Sequence, residues 1–129
     1  MRRLLLAVLL GVAAGLACSD TTAPPQPGML TIELTTPHAS DASILFRVVG
    51  PLSGTELTAA REGYGLHQRV AGGTAHVAIF GALVSGTLAT FAVPDVARAA
   101  DYTATVIEVG DESNALRGDL SGYRLTVRR

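Results

Sequence analysis

Cys18 has the most distinctive chemistry in this chain, because it is the single cysteine among 129 residues. A disulfide within the chain is therefore excluded. The thiol stands between a long apolar run and a segment rich in proline and threonine, which is a poor position for a core residue. No histidine adjoins it in the sequence, so an activated thiolate nucleophile is not expected either. Its position favours covalent attachment at the sulfur.

Three histidines raise the question of a metal site: His38, His67 and His76. They stand 29 and 9 residues apart, and no two have the His-x-x-x-His spacing that brings a pair of ligands onto one face. His76 precedes Val77 in an alternating segment, so its side chain should face solvent if Val77 faces the interior. We therefore predict surface histidines and no metal site.

The densest group of carboxylates lies late in the chain and consists, with one amide, of Glu108, Asp111, Glu112, Asn114 and Asp119. Calcium favours oxygen-rich loops of this kind. These acids, however, do not alternate as they do in a dedicated calcium-binding loop. The sequence predicts a solvated loop with an Asp or Ser that caps a helix.

The chain carries no sequence signature of an enzyme. It has no Gly-x-Ser-x-Gly nucleophile elbow, and Ser85 in SGTL is typical of a turn. All ten lysine and arginine positions are arginines, so Schiff-base and phosphate-loop lysine chemistry is excluded. The glycines within residues 63–65 and 72–73 precede no helix and indicate turns. We predict a non-enzymatic protein with no catalytic residue and no cofactor.

The N-terminus has the features of an export signal. Arg2 and Arg3 precede thirteen uncharged residues, LLLAVLLGVAAGL. A helix needs about 20 apolar residues to span a bilayer, so this run is too short and fits a secretory signal peptide over residues 1–17. The remainder has eight arginines and eleven acids, a net charge of −3. That balance provides no electrostatic basis for binding nucleic acid.

The residues GLAC that end at the cysteine resemble the lipobox of bacterial lipoproteins. Ala17 fits the small residue before the cysteine, whereas Gly15 stands where leucine is usual and Leu16 is one place late. The resemblance implies a lipid on Cys18 and attachment to a membrane of the cell envelope. In a host with two membranes, Ser19 is compatible with the outer one. Cleavage without lipidation, which gives a secreted protein, is the alternative.

Residues 18–28 consist of the cysteine and the segment SDTTAPPQPG, which has no large apolar side chain. Such a segment cannot bury enough surface to offset the entropy lost on ordering. Proline biases it towards the polyproline conformation, which rises about 3.1 Å per residue. We therefore predict a tether of roughly 30 Å between Cys18 and a domain that spans residues 29–129.

After the tether, apolar and polar residues alternate in a way that is typical of half-buried strands. We predict seven or eight short strands without crossover helices, which include residues 29–36, 43–50, 66–70, 74–81, 86–93, 101–109 and 123–129. Residues 52–64 fit a short strand or a helical turn, and residues 113–117 fit one helical turn. The pattern predicts an all-β protein, an antiparallel β-sandwich of immunoglobulin-like character, with a small barrel as the alternative. Phe46, Ile79 and Val106 are the expected central core residues.

One stretch of the domain resembles the second half of cohesin-type sandwiches. In those domains a strand ending in glycine leads through a short loop to a Gly-x-Leu-x-x-Phe-x-Val strand, and then to a Tyr-Thr strand. The matching positions here are Gly81, Gly86, Leu88, Phe91, Val93, Tyr102 and Thr103. The resemblance implies a cohesin-like fold. It does not imply dockerin binding, because this chain is shorter than a cohesin domain.

Anchor, tether and compact domain together favour an interaction or structural module at the cell envelope, held at the membrane through Cys18. Its partner would then be another envelope protein. The alternative is an exported module that binds a small ligand or a glycan. That alternative requires an exposed acidic or aromatic groove, for example with Tyr64, Tyr102 and Tyr123 side by side.

Overall fold

The structure, a computed structural model, describes residues 23–129, which form eight β-strands in two antiparallel sheets. The strands are β1 (Gly28–Thr35), β2 (Asp41–Val49), β3 (Leu57–Ala59), β4 (Gly65–Ala71), β5 (Thr74–Leu83), β6 (Gly86–Val93), β7 (Thr103–Asp111) and β8 (Arg124–Arg128). A 3₁₀ helix, Val96–Asp101, precedes β7. The first sheet has the strand order β3-β6-β1-β8, and the second sheet has the order β4-β5-β2-β7. The sheets do not close into a barrel, so the predicted antiparallel β-sandwich is confirmed.

Inward-facing side chains of both sheets form one hydrophobic core. The alternation in the sequence becomes alternating burial in β1, β2 and β5. The predicted core residues Phe46 and Ile79 are fully buried on the neighbouring strands β2 and β5. Other large, fully buried side chains are Leu30, Ile32, Ile44, Leu52, Leu83, Leu88 and Phe91. Removal of this apolar surface from water is the main contribution to the stability of the domain.

Val106 is only half-buried, so the prediction that it lies at the centre of the core is wrong. β7 is an edge strand of the second sheet, and its pairing with β2 skips Ile107 at a β-bulge. A bulge reverses which side chains face inward along the rest of the strand. Val109 is consequently the fully buried hydrophobic residue near the end of β7.

Gly72 and Gly73 form the two-residue hairpin turn between β4 and β5, as the sequence predicts. Their φ angles are 56° and 74°. A tight turn of this kind needs positive φ at both central residues, which glycine adopts without a steric penalty. Residues 52–64, for which a strand and a helical turn were both open, contain the short strand β3.

The loop after β7 contains no helical turn at residues 113–117, contrary to the prediction. The Asp111 carboxylate accepts hydrogen bonds from the backbone N–H groups of Ser113 and Ala115, at 2.8 and 3.0 Å. Leu116 then pairs with Gly110 in an isolated β-bridge. The aspartate side chain therefore folds the backbone into a turn and returns it to the edge of the second sheet.

Both ends of the described chain lie at the same end of the sandwich. Gln26 accepts a hydrogen bond at its backbone oxygen from Val96 N, at 2.8 Å, and at its side-chain oxygen from Arg129 Nη2, at 3.1 Å. We call this the tether end, because residues 23–27 enter β1 there. The opposite end, which carries the β1–β2, β5–β6 and β7–β8 loops, is the far end. No helix within residues 23–129 is long and apolar enough to cross a membrane.

The side chain of Gln68 joins the two sheets where β4 and β3 lie at neighbouring edges. Its Nε2 donates a hydrogen bond to Leu57 O at 2.9 Å, and its Oε1 accepts one from Leu57 N at 2.8 Å. The amide thereby pairs with the backbone of the three-residue strand β3 much as a further strand would. Gln68 therefore closes one side of the sandwich.

We expect Phe46→Ala to lower the free energy of unfolding by about 3–5 kcal/mol, because it leaves a cavity in a fully packed core. Equilibrium unfolding in urea measures the loss. Phe80→Ala removes the same atoms from a side chain that is 49% exposed, and it should cost much less. Equal losses in the two variants would contradict the location of the core.

We expect Gln68→Glu to lower the free energy of unfolding by about 1–3 kcal/mol at neutral pH, because a carboxylate cannot donate to Leu57 O. At acidic pH the protonated carboxyl group can donate and accept as the amide does. The difference from the wild-type protein should therefore shrink as the pH falls, when urea unfolding is repeated at both pH values. A difference independent of pH would show that the paired hydrogen bonds do not join the sheets.

Candidate functional site

The predicted lipidation residue, Cys18, lies outside the residues that the structure describes. The same holds for the predicted signal peptide, residues 1–17, and for the tether up to residue 22. Lipidation therefore stays a prediction. The described part of the tether, residues 23–27, is exposed and leads directly into β1.

The three histidine side chains do not form one cluster. His38 lies in the β1–β2 loop, with its ring 6.1 Å from the ring of Tyr123. His67 on β4 and His76 on β5 are exposed on the outer face of the second sheet, and Val77 is buried, as predicted. Among residues 23–129, no three His, Cys, Asp or Glu side chains lie close enough to hold a metal ion.

Two carboxylates of the predicted solvated loop accept hydrogen bonds from nearby backbone N–H groups. Asp111 holds the turn after β7, and Asp119 accepts a hydrogen bond from Ser121 N at 2.9 Å. The bonds from Ser121 lower the pKa of the Asp119 carboxyl group below its ordinary value of 3.8. Glu108 lies apart from them on β7, and Glu112 is exposed. The aspartates therefore cap turns of the loop backbone; the predicted helix cap is wrong, because residues 112–123 contain no helix.

The three tyrosines lie in different places. Tyr102 is buried with its ring 5.2 Å from that of Phe91, and its hydroxyl donates to Pro51 O at 3.3 Å. Tyr123 is buried at the far end. Tyr64 is partly exposed, and its hydroxyl accepts a hydrogen bond from Val84 N at 3.4 Å. They do not form a shared aromatic surface.

The most concentrated polar contacts in the described chain surround Asp41 at the start of β2. Its carboxylate is 1% exposed. Tyr123 Oη donates to both carboxylate oxygens at 3.0 and 2.9 Å, Thr36 Oγ1 donates to Oδ2 at 2.6 Å, and Arg117 Nε donates to Oδ1 at 3.0 Å. Arg117 also donates from Nη2 to Ser40 Oγ at 3.1 Å. The Asp41 cluster therefore ties the β1–β2 loop to the β7–β8 loop.

These contacts decide the protonation of the buried groups. Burial raises the pKa of the Asp41 carboxyl group, but hydrogen bonds from Thr36, Tyr123 and Arg117 outweigh it, so the pKa lies below 3.8. Burial and the hydrogen bond to Asp41 raise the pKa of Tyr123 above 10.0. Asp41 is therefore ionised and fully partnered at neutral pH. An enclosed carboxylate of this kind stabilises the loops and is shielded from a substrate by its burial.

Sequence reasoning missed Asp41 because of a second β-bulge. The alternation of Ile44, Phe46 and Val48 places Ala42 inside and Asp41 outside. In the structure, the pairing of β2 skips Ala42, which turns the Asp41 side chain inward. Its donors Arg117 and Tyr123 are 76 and 82 residues away in the sequence, so local pattern gives no sign of the contact.

The outer face of the second sheet carries a row of basic side chains. Arg47 on β2, His76 on β5 and Arg69 on β4 are directly opposite one another. Directly opposite side chains of antiparallel strands lie about 5 Å apart, so these three form a continuous basic row. Among the described residues, no carboxylate forms an ion pair with Arg47 or Arg69. Positive charge is thus left without a partner on one face of an acidic domain.

An apolar groove of about 230 Å³ lies on the same face, nearer the far end. Phe80 on β5 and Leu116 form its walls and are 49% and 65% exposed. His67 packs edge-on against the Phe80 ring, with centroids 5.9 Å apart. The remaining lining comes from three strands and includes Ser43, Leu45, Ala78 and Gly110. The outer face therefore combines an apolar groove with a basic row.

A larger cleft of about 600 Å³ opens at the tether end. Residues 51–56 and the hairpin turn line it together with Gln68 and Val70. Glu56 is the one charged residue in this lining, and no aromatic side chain belongs to it. The cleft therefore lacks the aromatic platform on which sugar rings usually stack.

We expect Asp41→Asn to lower the free energy of unfolding by about 1–3 kcal/mol at neutral pH, because it removes a buried charge that accepts several hydrogen bonds. The folded-state pKa of Asp41 is depressed, so its contribution is complete well above pH 3.8 and is lost as the pH falls through the folded-state pKa. Urea unfolding of wild type and variant should therefore converge below that pH.

The exposed Glu112 provides the control, since Glu112→Gln changes a neighbouring loop carboxylate outside the Asp41 cluster. This variant should unfold like the wild-type protein at every pH tested. An Asp41→Asn variant with undiminished stability at neutral pH would show that the cluster does not hold the far-end loops together.

No family model matches this chain, and no curated protein or solved structure matches it. The resemblances to bacterial lipoproteins and to cohesin domains therefore stay predictions. What the protein does must be inferred from its own contacts and charges.

Proposed function

We propose that this protein is a non-enzymatic interaction module of the bacterial cell envelope, held at the membrane by a lipid on Cys18. The observation that carries the proposal is the position of the chain ends. Residues 23–27 leave the domain at the tether end, where Gln26 contacts Arg129. A lipid on Cys18 attaches the domain by that end alone, which leaves the far end and both outer faces free for a partner.

The surroundings of the reactive side chains support an interaction role over catalysis. The Asp41 carboxylate is buried and fully hydrogen-bonded, so it cannot reach a substrate. His67 and His76 are exposed, and neither forms an ion pair with a carboxylate among the described residues. A catalytic base normally needs both substrate access and an orienting partner. The free basic row and apolar groove instead suit the binding of another molecule.

A module that binds a small ligand or a glycan is the second candidate, and the cleft of about 600 Å³ at the tether end favours it. Its volume lies in the range of ligand pockets, roughly 300–1,000 Å³. We rank this candidate second because Tyr102 and Tyr123 are buried and the cleft has no aromatic lining. Its occupant would have to be held by Glu56, hydroxyl groups and backbone atoms.

Radiolabelled palmitate tests the anchor. Cells that express the full chain should incorporate label into the protein, and the protein should sediment with membranes. Cys18→Ala should abolish labelling and release the protein into the soluble exported fraction, because no thioether can form at position 18.

Ser19→Ala is the matched control, since it changes the neighbouring residue and keeps the thiol. This variant should label like the wild-type protein and stay with the membranes. Label on the Cys18→Ala variant, or a wild-type protein that is exported without label, would refute the lipid anchor.

A further inference from the structure

We propose that the outer face of the second sheet binds an extended acidic segment of a partner protein. One large apolar side chain of that segment enters the groove between Phe80 and Leu116, and an acidic side chain lies on the basic row. This inference names the class of partner for the module proposed above, and it rests on that proposal. Three observations support it: the charge of the row, the size of the groove and the distance between them.

The charge of the basic row selects an anionic partner. Arg47 and Arg69 lie two strand spacings apart, about 9.5 Å, with His76 between them. A guanidinium group binds a carboxylate through paired hydrogen bonds. On the first sheet, by contrast, Arg128 is already paired with Glu33 at 3.2 Å. Among residues 23–129, Arg124 on the same sheet has no ion pair, but it stands opposite Thr35 and not beside a second basic side chain in its pairing with β1. Within the described chain, the second sheet is therefore the outer face on which two unpaired arginines flank a histidine in one row.

The size of the groove selects a single side chain. Its volume of about 230 Å³ is below the range of roughly 300–1,000 Å³ that is usual for small-molecule pockets. Phe80 and Leu116 leave about half or more of their surface in water, and a partner side chain between them would cover it. Glu108 lines the groove on the β7 side and repels an acidic group there. The apolar and acidic contacts of the partner are thereby kept apart.

The distance between the two sites fits an extended segment. Phe80 and His76 are four residues apart on β5, and Ser43 and Arg47 are four residues apart on β2. At about 3.3 Å per residue, the groove and the basic row are separated by roughly 13 Å along the strands. A segment that runs along the strand direction therefore needs its acidic residue four positions from its apolar residue.

The combination favours a protein over other anions. An acidic polysaccharide or an anionic lipid surface can neutralise arginines, but neither presents one large apolar side chain at a fixed distance from a carboxylate. A second copy of this chain would bring its own basic row to the face, and like charges disfavour that pairing. An extended acidic segment meets both requirements with one chain.

Selection from a displayed library of random linear peptides tests the inference. The full chain is immobilised through a biotin at its C-terminus, since Arg129 lies at the tether end and leaves the face accessible. Enriched peptides should carry Asp or Glu four positions from Phe, Leu, Ile or Trp, in one chain direction. Their binding should weaken as the salt concentration rises.

Charge reversal and groove variants separate the two contacts. Arg47→Glu and Arg69→Glu should each weaken binding of an enriched peptide about tenfold or more. Phe80→Ser should remove the preference for the apolar residue and keep the preference for the acid. Arg124→Glu makes the same charge change on the outer face of the first sheet and should leave affinity unchanged. Unaltered urea unfolding of each variant shows that the sandwich is intact.

Several results would overturn the inference. The first is enrichment of peptides that lack an acidic and an apolar residue four positions apart. The second is undiminished binding of an enriched peptide to both Arg47→Glu and Arg69→Glu. The third is a loss of binding in Arg124→Glu as large as in those two variants. Tight binding to vesicles of phosphatidylglycerol that Arg47→Glu abolishes, without peptide selection, would assign the face to lipid. Dimerisation that Phe80→Ser prevents would assign it to a second copy. A protein that incorporates palmitate but selects no peptide would refute peptide binding by this face and leave the lipid anchor standing. A protein that selects the motif but incorporates no palmitate would refute the lipid anchor and leave peptide binding standing.

Discussion

The far end of this domain is organised by the need to keep one carboxylate charged inside a sandwich. A buried charge without partners would cost several kcal/mol. Asp41 has a hydroxyl donor from the β1–β2 loop, and a guanidinium and a phenol donor from the β7–β8 loop. Because these donors come from distant parts of the chain, satisfying Asp41 fixes where both loops lie. Within residues 23–129, every buried side-chain polar atom has a hydrogen-bond partner.

The strand pattern was predictable, and the points at which strands depart from regular alternation were not. Alternation in β1, β2 and β6 and the glycine pair before β5 follow from residue types alone. The bulges at Ala42 and Ile107 depend on contacts between strands, so the inward turn of Asp41 and the partial exposure of Val106 could not be foreseen. The same limit applies to function. Alternation places Arg47 and His76 outward, but only the pairing of β4, β5 and β2 shows that Arg69 joins them in one row.

The two outer faces of the sandwich have different chemistry. Across the first sheet, Thr58, Thr90 and Thr31 stand directly opposite one another. These three side chains are short and uncharged, and beside them Arg128 is neutralised by its ion pair with Glu33. The second sheet presents arginines, histidines and exposed apolar side chains, among them Val49 and Phe80, with the apolar groove between Phe80 and Leu116. A protein that needed only a soluble spacer would be well served by the first kind of surface on both sides, so the second face is where we place recognition.

The central position of β1 also determines how the domain resists mechanical force. β1 follows directly from the tether and is hydrogen-bonded along both sides, to β6 and to β8. Tension drawn through residues 23–27 acts along this strand, while the hydrogen bonds of an antiparallel ladder run perpendicular to it. Such tension acts in shear on many hydrogen bonds of the β1–β6 and β1–β8 ladders at the same time. Tension applied across the open end of a hairpin would instead break its hydrogen bonds one after another. The lipid anchor proposed at Cys18 would therefore pull on the domain along a strand that is paired on both sides.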